Sequence, residues 1–208
     1  MTALAPEAPG STPGLDLDEL LWQAWKAMEL PEGLRAEIVE GFIEVSPTGR
    51  FAHGQIANQL RRAIDKHLDE GEWAAYQDMN IVHDRKVWIP DCFIAPECPE
   101  EHVTDDGIGL KASAVQLVVE VVPPEHDGIE RDRERKRHAY AGAGIPVYVL
   151  IDDHDGHGTV TVLAAPLPDE SVYTDVRRAR YGIDVIIPDG PAKGFTIGEA
   201  ITGPPRNA

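Results

Sequence analysis

Residues 114–152 read AVQLVVEVVPPEHDGIERDRERKRHAYAGAGIPVYVLID, and their pattern decides the fold. AVQLVVEVV is a near-continuous apolar run of strand length, the kind buried on both faces of a sheet. Pro123-Pro124 ends it, because proline cannot donate to a ladder. Gly128 then precedes a charged helix, predicted over 129–142, before IPVYVLID supplies a second buried strand. Strand, helix and strand in this order predict a right-handed βαβ crossover with parallel strands. Within the helix Asp132, Lys136 and Tyr140 recur every four residues and so share one face. Glu120 lies inside the first strand, where a carboxylate is costly unless something compensates its charge.

Outward from this unit, the N-terminal part carries helix and hairpin signals. LDLDELLWQAWKAMEL sets Leu17, Leu20, Leu21, Ala24, Trp25 and Met28 on helical spacing, with Asp16 or Asp18 as cap. This predicts a helix whose Trp and Met side chains belong to the core. RAEIVEGFIEVSP is two β-rich runs around Glu40-Gly41, a hairpin. AHGQIANQLRRAIDKHLDEG spaces Ile56, Leu60, Ile64 and Leu68 by four and stops at Gly71, an amphipathic helix.

From Glu72 the texture is that of strands: EWAAYQ, MNIVH and KVWIPDCFIA, the last read as one strand bearing Asp91. An acid- and proline-rich loop over 96–107 is expected on the surface. TVTVLAAP, SVYTDVRRARYG and IDVIIP read as further strands, with FTIGEAI as a last short element. The expected organisation is a tail over residues 1–14 and a single domain over 15–202. The predicted sheet has the strands of Asp91, Glu120 and Val147–Leu150 at its centre, and helix 129–142 on one face.

Bulk properties narrow the function. The chain has 208 residues with 19 Lys and Arg against 36 Asp and Glu, a net charge of −17. That charge argues against non-specific coating of nucleic acid, which rests on many basic contacts to phosphate. It leaves room for an enzyme with a locally basic site. ERDRERKR at 130–137 is such a local positive excess, either a helix face with internal ion pairs or a phosphate-binding patch. No apolar run approaches a membrane span, and the N-terminus lacks the layout of a secretory signal. Cys92 and Cys98 are too few for a disulfide framework or a four-cysteine zinc site. A cytoplasmic protein with reduced thiols is the expectation.

Asp91 and Glu120 offer hard oxygen ligands, which suit Mg²⁺ or Mn²⁺. If their strands are neighbours, both carboxylates face one cleft, where an ion polarises phosphate and activates water. A nearby lysine stabilises the developing charge. The alternatives are structural: Asp91 capping the turn after Pro90, and Glu120 pairing with a buried arginine. Glu37 or Glu40 could add a carboxylate or simply face solvent. His53 opens the second helix, where histidine usually packs or caps, although contact with substrate or metal is open to it. Tyr140 is expected to pack the helix on the sheet and bond across the cleft. His102, His126, His154 and His157 fall in loops and read as surface residues.

Taken together, Glu37, Gly41, Ser46-Pro47, His53, Pro90-Asp91, Glu120, Asp132, Lys136, Tyr140, Gly144, Tyr148 and Asp152 form an order of motifs that resembles the Uma-type restriction endonuclease domains. These are a family within the PD-(D/E)xK nuclease superfamily, and the resemblance spans about residues 15–200. It implies an α/β, restriction-endonuclease-like fold, a central mixed β-sheet flanked by helices. It also implies Asp91 and Glu120 as ligands of Mg²⁺ or Mn²⁺, Lys136 as catalytic cation, and Glu37, His53, Asp132 and Tyr140 as accessory residues. DNA is the implied substrate; the oligomeric state is left open by the sequence, a homodimer being one alternative. One departure stands out: the superfamily lysine two residues after the second carboxylate is Val122 here. By the resemblance Lys136 replaces it from the next helix, along whose apolar surface a lysine stem can run. The competing expectations are a non-catalytic member of the same fold and a hydrolase of some other phosphodiester.

Overall fold

The computed structural model describes residues 16–47, 51–69, 71–122, 131–152 and 158–206. The tail 1–14, Pro123-Pro124, Gly128, His126, His154 and His157 therefore lie outside the described residues, as does the side chain of Asp132.

The two apolar runs form parallel strands, as predicted, with a helix between them. β8 (Leu117–Val122) and β9 (Val147–Asp152) pair in parallel from Leu117↔Val147 to Val122↔Asp152, and every residue of both is buried. They are the two inner strands of a six-stranded mixed sheet, ordered β11-β10-β9-β8-β6-β3. Its other members are β3 (Trp73–Tyr76), β6 (Cys92–Pro96), β10 (Thr159–Leu167) and β11 (Val172–Arg180).

Alternation along β8 divides the core. Leu117, Val119 and Val121 pack with Ala57, Leu60 and Ile64 of α2 (Phe51–Leu68). Val118 and Val122 pack with Tyr140 and Ala141 of α3 (Lys136–Gly142) on the opposite face. Glu120 belongs by parity to the α3 side. The α2 prediction holds at Leu60 and Ile64, but the helix ends at Leu68, with Asp69 rather than Gly71 taking the left-handed φ of 49°.

A second, five-stranded sheet has the order β2-β1-β5-β4-β7. β1 (Leu34–Val39) and β2 (Phe42–Pro47) form the predicted hairpin. Glu40 and Gly41 both have positive φ, 44° and 81°, as a tight two-residue hairpin turn requires. β4 (Ile81–His83), β5 (Lys86–Trp88) and β7 (Leu110–Lys111) complete this sheet. β12 (Val185–Ile186), β13 (Thr196–Ile197) and α4 (Glu199–Thr202) add a small ribbon and helix, whose Val185, Ile197 and Ile201 join the α2 side of the core.

Three expectations change. KVWIPDCFIA is two strands in two sheets, not one, so Asp91 sits at the junction between β5 and β6. The break occurs where Pro90 has no N–H and the N–H of Ile89 donates to Glu37 Oε1 at 2.7 Å instead of a strand. The helix predicted over 129–142 is a π-helical turn over Arg131–Arg135 running into the shorter α3. Finally, α1 (Leu17–Lys26), capped by Asp16, buries no residue fully, and Met28 lies beyond its end with 36% exposure. It rests on the outer face of the second sheet, touching Ile38, Val82 and Val87 through Leu21, Trp22 and Trp25, with Leu17 and Leu20 exposed.

Candidate functional site

The two sheets meet where β5 passes into β6, and the acidic residues converge there. β6 and β8 run antiparallel with Cys92 opposite Val119. One further step in that register sets Asp91 opposite Glu120. The proline junction frees Asp91 from ladder duty, and its side chain takes over: Oδ2 accepts the N–H of Val121 at 2.8 Å. Oδ1 lies 2.9 Å from His53 Nε2 and 3.6 Å from an Arg35 guanidinium nitrogen.

Burial alone would raise the Asp91 pKa. The hydrogen bond and charge of His53, the Arg35 charge and the Val121 N–H outweigh it and hold the carboxyl below its ordinary value. For His53 burial acts to lower the pKa, but the bond to Asp91 and its charge win and raise it.

Behind this pair lies a second group. Lys136 opens α3 and is fully buried, with Nζ 2.9 Å from both Glu120 Oε1 and Glu37 Oε1. Tyr140, one turn on, donates its hydroxyl to the same Glu120 oxygen at 2.6 Å. Burial and the charges of Glu120 and Glu37 push the Tyr140 phenol well above its usual range, so it remains a donor. Alternation along β1 explains Glu37: Ile38 faces α1, whereas Glu37 and Val39 face inward. Glu37 is 0% exposed, so it is the buried carboxylate and not the solvent-facing one.

Of the predicted site residues, Asp91, Glu120, Lys136, Glu37, His53 and Tyr140 come together. Lys136 bridges Glu120 and Glu37, with α3 packed over the inward face of β8 next to β1. His53 is not a helix cap but a partner of Asp91, since α2 begins over the β5–β6 junction. Val122, two residues after Glu120, is fully buried in the apolar cluster around Tyr140 and Tyr148.

The residues missed are Arg35, Gln77 and Asp78. With His53, Ile89 and Asp91 they line a cavity of about 450 Å³ that opens the site to solvent. Arg35 is separated from Asp91 by 56 positions and carries no local motif; only the hairpin brings it there. The basic stretch 130–137 resolves into ion pairs with other elements. Arg133 pairs with Asp152 of β9, and Arg135 with Glu44 of β2. It is therefore a clamp at these two residues rather than a phosphate patch. His102 lies in a short 3-10 turn over Glu100–His102, within the loop predicted for the surface.

The donor chemistry fits a hard divalent cation. Asp91 and Glu120 are carboxylates, and Glu37 Oε2 is buried without a hydrogen-bond partner. Among the described residues no group of three or more His, Cys, Asp or Glu is arranged as a metal cage. A carboxylate pair is instead the usual protein share of a Mg²⁺ site, water and phosphate supplying the rest.

Comparison with known proteins bears on this geometry. The family model described as "Uma2: Putative restriction endonuclease" matches residues 22–178. No curated protein matches the chain. A solved structure described as "a putative nuclease belonging to DUF820", from Anabaena variabilis, aligns with a TM-score of 0.66 at 16% identity, covering 90% of this chain and 96% of that one. At that identity the likeness speaks for the fold. No described helix is long and apolar enough to cross a membrane.

Proposed function

Since the chain belongs to the Uma2 family of restriction-endonuclease-type domains, we propose that it is a Mg²⁺- or Mn²⁺-dependent endonuclease that hydrolyses phosphodiester bonds of DNA. The observation that carries this reading is the buried Lys136 ammonium of α3, 2.9 Å from Glu120. Asp91 and Glu120 would hold the ion, which when bound polarises a phosphate and lowers the pKa of water.

The chain's own groups do the rest. Arg35 presents guanidinium donors to the cavity beside Asp91, where a phosphate oxygen can accept them. Lys136 places a fixed positive charge where negative charge develops, in a site whose burial strengthens the effect. Tyr140 and Lys136 both donate to Glu120 Oε1 and so fix how that carboxylate presents its other oxygen. Gln77 and His53 stand at the cavity wall, His53 restraining Asp91. The −17 net charge suits a site of local basicity better than a long basic groove.

A second reading is a non-catalytic member of the fold. What favours it is that Lys136 already bridges two carboxylates and Asp91 is already engaged by His53 and Arg35, an arrangement that also serves as a buried structural network. Incubation with Mn²⁺ and a panel of single- and double-stranded DNA and RNA decides between them. Metal-dependent cleavage lost in Asp91→Asn and Lys136→Ala supports the enzyme, while no cleavage of any member supports the binding module.

A further inference from the structure

Beside the cavity that ends on Asp91 lies a second of about 370 Å³, and the two share Asp78 as a common wall. Its floor is the half-buried Tyr76 ring, backed by the buried Phe93, the two stacked with centroids 5.4 Å apart and planes 22° from parallel. These residues oppose each other across β3 and β6, and Phe93 stands only two places after Asp91. The Tyr76 hydroxyl donates to the carbonyl of Pro96 at 2.8 Å, which holds the ring in place.

Met79, Val103 and Ile108 complete the walls, with Met79 half exposed and Val103 over a third. The enclosing loop is fixed as well. Asn80 Nδ2 donates to the carbonyl of Ile108 at 2.9 Å, and Gly109 approaches Asn80 so closely that a Cβ would meet its carbonyl oxygen at 2.5 Å. Asp78, with a left-handed φ of 55°, turns the β3–β4 loop between the two cavities, and Arg35 lies 3.9 Å from it on the phosphate side.

A walled cavity of this size with an aromatic floor and a thioether at its mouth suits a flat π-system. We infer that it receives an unpaired nucleobase of the strand whose phosphate lies at Arg35 and Asp91. This rests on the phosphodiester reading above. A nucleotide carries its base one sugar away from its phosphate, which matches two cavities divided by a single residue. Stacking on such a floor tolerates any base, because every base offers a π-face. The pocket thus selects an unstacked or single-stranded position rather than a sequence, and duplex would enter only where a base leaves the stack.

The test compares binding of a short single-stranded oligodeoxynucleotide with that of the same-length abasic strand, by fluorescence anisotropy in EDTA and in Mg²⁺. Wild type is expected to prefer the base-bearing strand roughly tenfold, as one stacked base usually contributes. Val103→Trp fills the cavity from its exposed rim and should bring the two strands to within about twofold of each other, leaving abasic binding unchanged. Met79→Trp serves the same purpose if that variant does not fold. Arg35→Ala should weaken both strands equally. Equal binding of both strands by wild type, or a preference that survives filling the pocket, overturns the inference alone, provided Arg35→Ala still weakens binding. If neither strand binds in either buffer, the phosphodiester reading falls with it.

Discussion

Lys136 Nζ lies 2.9 Å from Glu120 Oε1, and neither side chain exposes more than 2% of its surface to water. Charges so deeply placed are costly to bury and costlier to leave unpaired, so this contact binds stability to any catalytic role.

Lys136→Ala should lower Mn²⁺-dependent cleavage on the order of 10²-fold or more, as loss of a charge-stabilising donor does. It should also destabilise the fold by about 3–5 kcal/mol, because Glu37 and Glu120 lose their shared cation. Adding Glu37→Gln should return part of that stability without returning activity. Urea unfolding and cleavage rates on the two variants check this, and wild-type turnover in Lys136→Ala would remove the lysine from the reaction.

Divalent metal should raise the melting temperature of the wild-type protein. A ligand selective for the native state stabilises by about 2.7 kcal/mol at a hundredfold excess over its Kd. Asp91→Asn and Glu120→Gln should abolish the Mg²⁺ or Mn²⁺ increment. Equal melting shifts in wild type and both variants would place the ion elsewhere.

The Asp91–His53 pair sets a pH window. His53 has its pKa raised above 6.5, so its share of stability is complete below that pH and is lost as pH rises through the folded value. Asp91 has its pKa lowered below 3.8, so its share is present above that pH and is lost as pH falls through the folded value. Metal-free protein should therefore be best supported by this pair between the two. Melting curves across pH should show wild type losing more stability above pH 6.5 than His53→Gln does. Parallel curves would mean the pair contributes nothing at these pH values.

Arg133 and Arg137 sit four residues apart but should behave differently. Arg133→Ala removes a cation that pairs with Asp152, whose side chain is 2% exposed, and should cost up to about 3 kcal/mol. Arg137→Ala should stay within about 0.5 kcal/mol. Denaturant titration of the two variants distinguishes them.

The sequence by itself determined the local elements whose causes are local. The apolar runs around Glu120 and Tyr148 dictated parallel buried strands, the four-residue period fixed Lys136 and Tyr140 to one helix face, and Glu40-Gly41 fixed the hairpin turn. The same periodicities announced which carboxylates would be awkward to bury, and hence which to suspect. They could not say what would meet those carboxylates, because contacts across two sheets depend on register and packing of segments far apart in the chain. Only the tertiary structure decided that KVWIPDCFIA breaks at Pro90 into two sheets, that Lys136 joins Glu37 to Glu120, and that His53 and Arg35 converge on Asp91. It likewise set α1 on the outer face of the second sheet, where helical spacing alone could not distinguish a half-buried stripe from a core one. Periodicity records which side of an element is apolar; what that side faces is settled by the rest of the chain.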